Sequence, residues 1–134
     1  MKVFLCTDAR GGTAFNKRRQ SRDREVIADI IRTVENGELI VSHYSAPLFD
    51  GYYVRVEDEP LNATGDTSYC FVECADIKKH LNGIDTLIIY NWNRDYPSDK
   101  KLDVIPEKCG FKLTGKYEFK GKSHDKITKE IYKK

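Results

Sequence analysis

Phe15 to Asp23 read FNKRRQSRD, a stretch that concentrates charge and hydrogen-bonding capacity. Lys17, Arg18 and Arg19, followed by Arg22 and Arg24, set cations beside the start of an amphipathic segment, where the first N–H groups of a helix lack intrahelical partners. Such a place attracts anions, and arginine suits it because its planar fork reaches phosphate oxygens two at a time. Asn16, Gln20 and Ser21 add neutral donors between the cations, and Asp23 adds a carboxylate. A second set surrounds His124, where Ser123, Asp125, Lys126 and Thr128 flank an imidazole that can titrate near neutrality. A third follows an apolar run: Trp92 or Tyr96 offers a face for a base and Arg94 a fork for phosphate. Each set also has an ordinary structural explanation. Basic runs are commonly solvated surface, a tryptophan after a strand commonly packs as core or lid, and a histidine in a loop is commonly exposed.

Spacing excludes other chemistry. His43, His80 and His124 form no HxH or HxxxH pair, so no metal set is expected. Gly11-Gly12 lacks the GxxxxGK[ST] pattern of a phosphate-binding loop, and no Gly-x-Ser-x-Gly elbow occurs. Cys6, Cys70, Cys74 and Cys109 show no CxxC spacing and read as free thiols. No cofactor is implied by these residues.

The elements that must position these groups follow from hydrophobic periodicity. Val26, Ile27, Ile30, Ile31 and Val34 recur at three- and four-residue spacings, predicting a helix from Arg22 to Glu35 with Ser21 as its N-cap and Asn36-Gly37 as its stop. Val3–Thr7 reads as the opening strand, and Gly11-Gly12 as a hinge beneath the basic stretch. Further strands are expected at Leu39–Val41, Tyr52–Val56, Tyr69–Val72 and, centrally, Thr86–Tyr90. Short helices are expected through Leu48 and Phe49 and from Ala75 to Leu81, and an exposed acidic loop from Glu57 to Asp66. Phe111–Phe119 and Ile127–Tyr132 predict an antiparallel ribbon covering a sheet edge. The order predicts an α/β protein with a mixed, largely parallel sheet flanked by helices, in which ligands gather at the carboxyl ends of strands.

At 134 residues without linker, repeat or low-complexity block, residues 1–134 are expected to form a single domain. The longest apolar run, Leu87–Tyr90, falls far below the about 20 residues of a membrane-spanning helix, so a soluble, cytoplasmic protein without a membrane partner is expected. Net charge is only +2, but Lys108 to Lys134 carries nine lysines against Glu118, Asp125 and Glu130. If this zone meets the Phe15 region in space, the two make one pocket or one patch.

The element order, with a glycine loop after the first strand and a two-stranded end, resembles dihydrofolate reductase over nearly the whole chain, in shortened form. Leu39–Phe49, LIVSHYSAPLF, is similar to the reductases' second strand and cofactor-phosphate turn. Cys70–Leu81, CFVECADIKKHL, is similar to their Gly-Gly strand-to-helix junction, and Ile84–Tyr90 followed by Asp95-Tyr96-Pro97 to a later strand and its Phe-Pro segment. The resemblance implies a dihydrofolate reductase-like fold and a pocket between the first helix and the sheet, with Asp23 near the family's pterin-binding carboxylate. Two departures argue against its cofactor. Glu73 and Cys74 stand where the reductases keep a glycine pair, and Ser42-His43-Tyr44-Ser45 replaces Gly-Arg-Lys/Arg-Thr, losing the arginine that holds a 2′-phosphate. Hydride transfer is therefore not expected. FNKRRQSRD together with SHDKITKE also resembles small bacterial and phage proteins, and some phage proteins of this size sequester nucleotide signals of host defence.

The expected function is binding of an anionic, nucleotide-like small molecule by Asn16, Arg18, Arg19, Ser21, Arg22, Asp23, Trp92, Arg94, Tyr96, Ser123, His124 and Lys126. One alternative is an enzyme on a phosphoester or nucleotide, with His124 and Asp23 as acid and base. Another is an inhibitor docking through the basic stretch on nucleic acid or on an enzyme of nucleic acid. The residues specify no oligomeric state.

Overall fold

Apolar residues on both faces of the opening strand make it an interior one, and the rest of the fold grows outward from it. A computed structural model describes residues 1–63 and 68–134, so part of the predicted acidic loop, Thr64 to Asp66, lies outside the described residues. The chain runs β1 (Lys2–Thr7), β2 (Gly12–Phe15), β3 (Arg18–Arg19), α1 (Arg24–Val34), β4 (Leu39–Val41), β5 (Arg55–Val56), β6 (Tyr69–Phe71), β7 (Thr86–Asn91), β8 (Lys100–Lys101), β9 (Lys112–Phe119) and β10 (Ile127–Lys133). The main sheet has seven strands in the order β5-β4-β6-β1-β7-β10-β9. The five strands from β5 to β7 are parallel, and β10 and β9 close the edge as an antiparallel ribbon. β1 takes the middle place, with β7 beside it. The ribbon's free edge carries Lys112 and Lys116, and its register shifts at Ile131/Tyr132, features that discourage pairing with another sheet.

α1 covers one face. Its Val26, Ile27, Ile30 and Val34 pack against Phe4, Phe49, Phe71, Ile88 and Tyr90. The helix starts two residues later than predicted: Asp23, in extended conformation, is the N-cap and accepts from Glu25 N at 2.9 Å. Ser21 is bonded elsewhere, and Arg22 precedes the helix. The other face buries Val3, Leu5, Leu87 and Ile89 under Ile77, Ile84, Val104 and Phe111, which come from loops and 3-10 turns. The helix predicted from Ala75 to Leu81 is a 3-10 turn, Lys78–Gly83. Asp103 accepts from Ile77 N at 3.1 Å and Lys78 N at 2.9 Å, so a distant side chain ties down the segment's entry. Among the described residues, helical cover thus reduces to one α-helix, joined on its own face by the 3-10 turn Ala46–Phe49 where a short helix is expected, and to 3-10 turns opposite.

The basic stretch is a β-hairpin and not a loop on a hinge. β2 pairs with β3 on one side and β8 on the other, forming a small second sheet. Phe15 pairs with Arg18, leaving Asn16-Lys17 as a two-residue turn with φ of 51° and 62°, the positive pair of a type I′ turn. Gly12 is clasped: its N–H donates to Asp8 Oδ1 at 2.8 Å, and a Cβ there would stand 2.6 Å from Ser98 Oγ. No helix among the described residues is long and apolar enough to cross a membrane.

Candidate functional site

Two segments a hundred residues apart meet at Asp23. Its Oδ1 accepts from Glu25 N and, at 2.8 Å, from Lys122 N; its Oδ2 accepts from Ser123 N at 2.9 Å and His124 Nδ1 at 2.8 Å. One carboxylate therefore caps α1 and closes the turn between β9 and β10. Gly121 allows this approach, because a Cβ there would lie 2.5 Å from Asp23 Oδ2. Burial raises the carboxyl pKa, but the His124 bond and the three backbone N–H groups outweigh it and hold Asp23 at about 2.

An ionised carboxylate only accepts, so His124 carries a proton on Nδ1 and directs Nε2 at Ser21 Oγ, 2.9 Å away, and at the Tyr96 hydroxyl, 3.0 Å away. The Trp92 indole stacks on the imidazole with centroids 4.5 Å apart and planes at 22°. His124 is only 3% exposed, so it is not a loop-tip group, and Trp92 is buried with one face on His124 rather than open to a base. Ser21, His124 and Asp23 have the connectivity of a hydrolytic relay. Space decides how far that goes. The void beside Ser21, Cys6, Val26, Phe71 and Trp92 holds about 10 Å³, and its neighbour beside Arg19, Gln20 and Cys74 about 20 Å³. Each has room for a water and not for a substrate. The pocket expected between α1 and the sheet is thus filled by its own side chains. Gln20 Oε1, buried and without a protein partner, borders the larger void.

Arg19 is committed to a carboxylate. Its Nε and Nη2 reach Glu73 Oε2 and Oε1 at 2.7 and 2.9 Å, its guanidinium lies 4.3 Å over the Tyr44 ring, and Ser45 Oγ donates to Glu73 at 2.8 Å. It clamps the hairpin to the end of β6 and has no fork free for phosphate. Cys74, next in the chain, adopts a φ of 59°, a glycine-like conformation at the junction.

The accessible cations face elsewhere. Arg22, Arg24, Lys122 and Ser123 line a cleft of about 600 Å³ together with the apolar Ile27, Pro47 and Leu48, with Tyr52, and with the carboxylates of Asp23 and Asp50. Arg18 lines a separate groove, and Asn16 sits in the hairpin turn, its N–H on Asp99 Oδ2 at 3.0 Å. Among the described residues, no carboxylate pairs with Arg18, Arg22, Arg24 or Lys122. Arg94 and Lys126 line neither opening; Lys126 stands 3.8 Å from Glu118. Lys122 and Tyr52 were not singled out from the sequence: Lys122 was one lysine among nine, and an exposed tyrosine after a 3-10 turn leaves no periodic signal. No group of His, Cys, Asp and Glu among the described residues is arranged to hold a metal.

A third opening, about 470 Å³, lies beyond the ends of β4 and β6. It is bordered by Asp58, Glu59, Glu73 and Asp76 against Lys79 and Lys100, and Lys100 is paired with Asp76 at 3.2 Å.

No protein-family profile and no curated protein sequence matches the chain. In fold it is similar to solved structures that include a dihydrofolate reductase from Enterococcus faecalis complexed with NADP(H) and RAB-propyl, at a TM-score of 0.69 and 9% identity, with 98% of this chain and 94% of that one covered. A likeness of that extent at that identity identifies the architecture: a dihydrofolate reductase-like fold with a mixed, mostly parallel sheet and an antiparallel C-terminal ribbon.

Proposed function

We propose that this protein binds an anionic, nucleotide-like small molecule in the cleft at the start of α1, without hydride chemistry. One observation carries it. Asp23 joins segments 99 residues apart, and the two basic zones thereby contribute Arg22, Arg24 and Lys122 to one cleft that Ile27, Pro47, Leu48 and Tyr52 also line, three cations against Asp23 and Asp50. Its volume lies within the roughly 300–1,000 Å³ of small-molecule sites. Arg22 and Arg24, without a carboxylate partner among the described residues, offer planar forks that suit phosphate.

The reductase similar in fold is complexed with NADP(H). The residues here do not fit that cofactor. Glu73 stands at the junction after β6, Ser42 to Ser45 supply no lysine or arginine after β4, and the nearby opening has more carboxylates than lysines. A pyrophosphate there would meet like charge. The outer cleft suits an anion better, and sequestration or sensing of a nucleotide signal, as in phage counter-defence, is the role such a site would serve.

Calorimetry with nucleoside mono-, di- and triphosphates tests the cleft. Arg22→Ala/Arg24→Ala is expected to weaken binding at least about tenfold, since each lost charge-assisted contact contributes on the order of 1.5 kcal/mol or more. Unchanged affinity in the double variant would sink the assignment. The relay connectivity of Ser21, His124 and Asp23 favours a second reading, turnover of a phosphoester. Chromatography of the same nucleotides after incubation separates the two: a product whose formation survives His124→Ala excludes His124 as its acid or base.

A further inference from the structure

A separate groove of about 390 Å³ is lined by Phe15, Arg18, Tyr96 and Pro97, with Gln20 at its border. Phe15 is 49% exposed, although its neighbour Ala14 in the same strand is buried. Arg18, directly across the hairpin from Phe15, has no carboxylate partner among the described residues. The groove therefore repeats in miniature the composition of the cleft: an aromatic surface beside an uncommitted cation. Gln20 lines one opening and Arg22 the other, so the backbones at the two rims are at most about 7 Å apart.

We infer that the ligand is a short single-stranded nucleotide chain rather than a mononucleotide, a conclusion that rests on the cleft binding a nucleotide at all. One base lies against Phe15 and Tyr96, a neighbouring base enters the cleft beside Tyr52, and the linking phosphates run over Arg18, Arg22, Arg24 and Lys122. Single strands are held in this way, by aromatic faces that accept any base and by cations that follow the backbone. A duplex keeps its bases stacked and paired, and so offers the aromatic side chains nothing.

Fluorescence anisotropy and calorimetry on the intact protein test this with adenosine monophosphate, 5′-phosphorylated di- and tetranucleotides of DNA and of RNA, and a blunt duplex that contains the same sequence and is long enough to stay paired. Affinity is expected to rise about tenfold or more from mononucleotide to dinucleotide, as one stacked base provides. Phe15→Ala and the milder Phe15→Leu should remove that gain and leave mononucleotide affinity unchanged. Arg18→Ala should make the salt dependence of tetranucleotide binding shallower by about 0.7 in log–log slope. The DNA and RNA arms identify which sugar is preferred. Equal affinity for mono- and tetranucleotide, oligonucleotide binding indifferent to both Phe15 variants, or duplex binding as tight as single-strand binding would each overturn the inference and leave the cleft assignment standing. Failure of every nucleotide to bind overturns both.

Discussion

Asp23 shows how one side chain sets both a helix start and a long-range closure, and its ionisation makes that closure pH-dependent. Its folded pKa of about 2 lies below the ordinary 3.8, so the ionised form favours the folded state. The stability it contributes is fully present above about pH 4 and is lost as pH falls toward about 2, on the order of 2 kcal/mol in all. Asp8, Asp29 and Asp85 are also held low, so total acid sensitivity is shared, and the informative quantity is the gap between wild type and Asp23→Asn. Urea unfolding is expected to show that gap clearly near pH 7 and much reduced near pH 2.5. A gap of equal size at both pH values would contradict the linkage.

At the scale of the element, the hairpin is the least expected feature. A type I′ turn favours Asn-Gly, and here Lys17 takes the second position at a φ of 62°. A side chain in that region costs about 1 kcal/mol. Lys17→Gly should therefore raise the urea midpoint by an amount equivalent to about 0.5–1 kcal/mol, whereas Lys17→Val should lower it. The hairpin holds its position because Arg19 grips Glu73, with both side chains largely buried. Arg19→Ala leaves Glu73, among the described residues, with the Ser45 hydroxyl as its one remaining hydrogen-bond donor and should cost about 2–4 kcal/mol. In Arg19→Ala/Glu73→Gln the buried charge is gone as well, and the loss should be smaller than in Arg19→Ala, a difference that a double-mutant cycle measures.

For the whole molecule, the same contacts cross between elements that are remote in sequence. Asp23 bonds His124 across 101 residues, and Tyr90 donates to Asp29 at 2.6 Å beside Lys129, joining α1 to β7 and β10. Trp92, the chain's one tryptophan, lies at the centre of this closure against His124. A single domain is expected to melt in one step, with Trp92 fluorescence and far-UV circular dichroism following the same curve. Separate midpoints would show that the closure and the sheet unfold independently.

Local periodicity was enough to read α1, most of the main-sheet strands and the C-terminal ribbon, because the face a residue buries is written in spacings of two or of three and four; the basic stretch showed its charge but not its hairpin. The helix start was not legible. Ser21 and Asp23 are both good N-caps, and the choice was made by His124, which bonds the serine's hydroxyl and shares the aspartate with Lys122 and Ser123. Nor does a sequence show which arginine is free. Arg18 and Arg19 are adjacent and chemically identical, yet Arg19 finds Glu73 54 residues away and Arg18 finds no carboxylate among the described residues. The same holds for the pocket: its walls are fixed by element order, but its filling depends on Trp92, His124 and Ser21 converging. Burial faces follow from local repetition; pairing, ionisation and cavity volume depend on which distant groups the closed chain brings together.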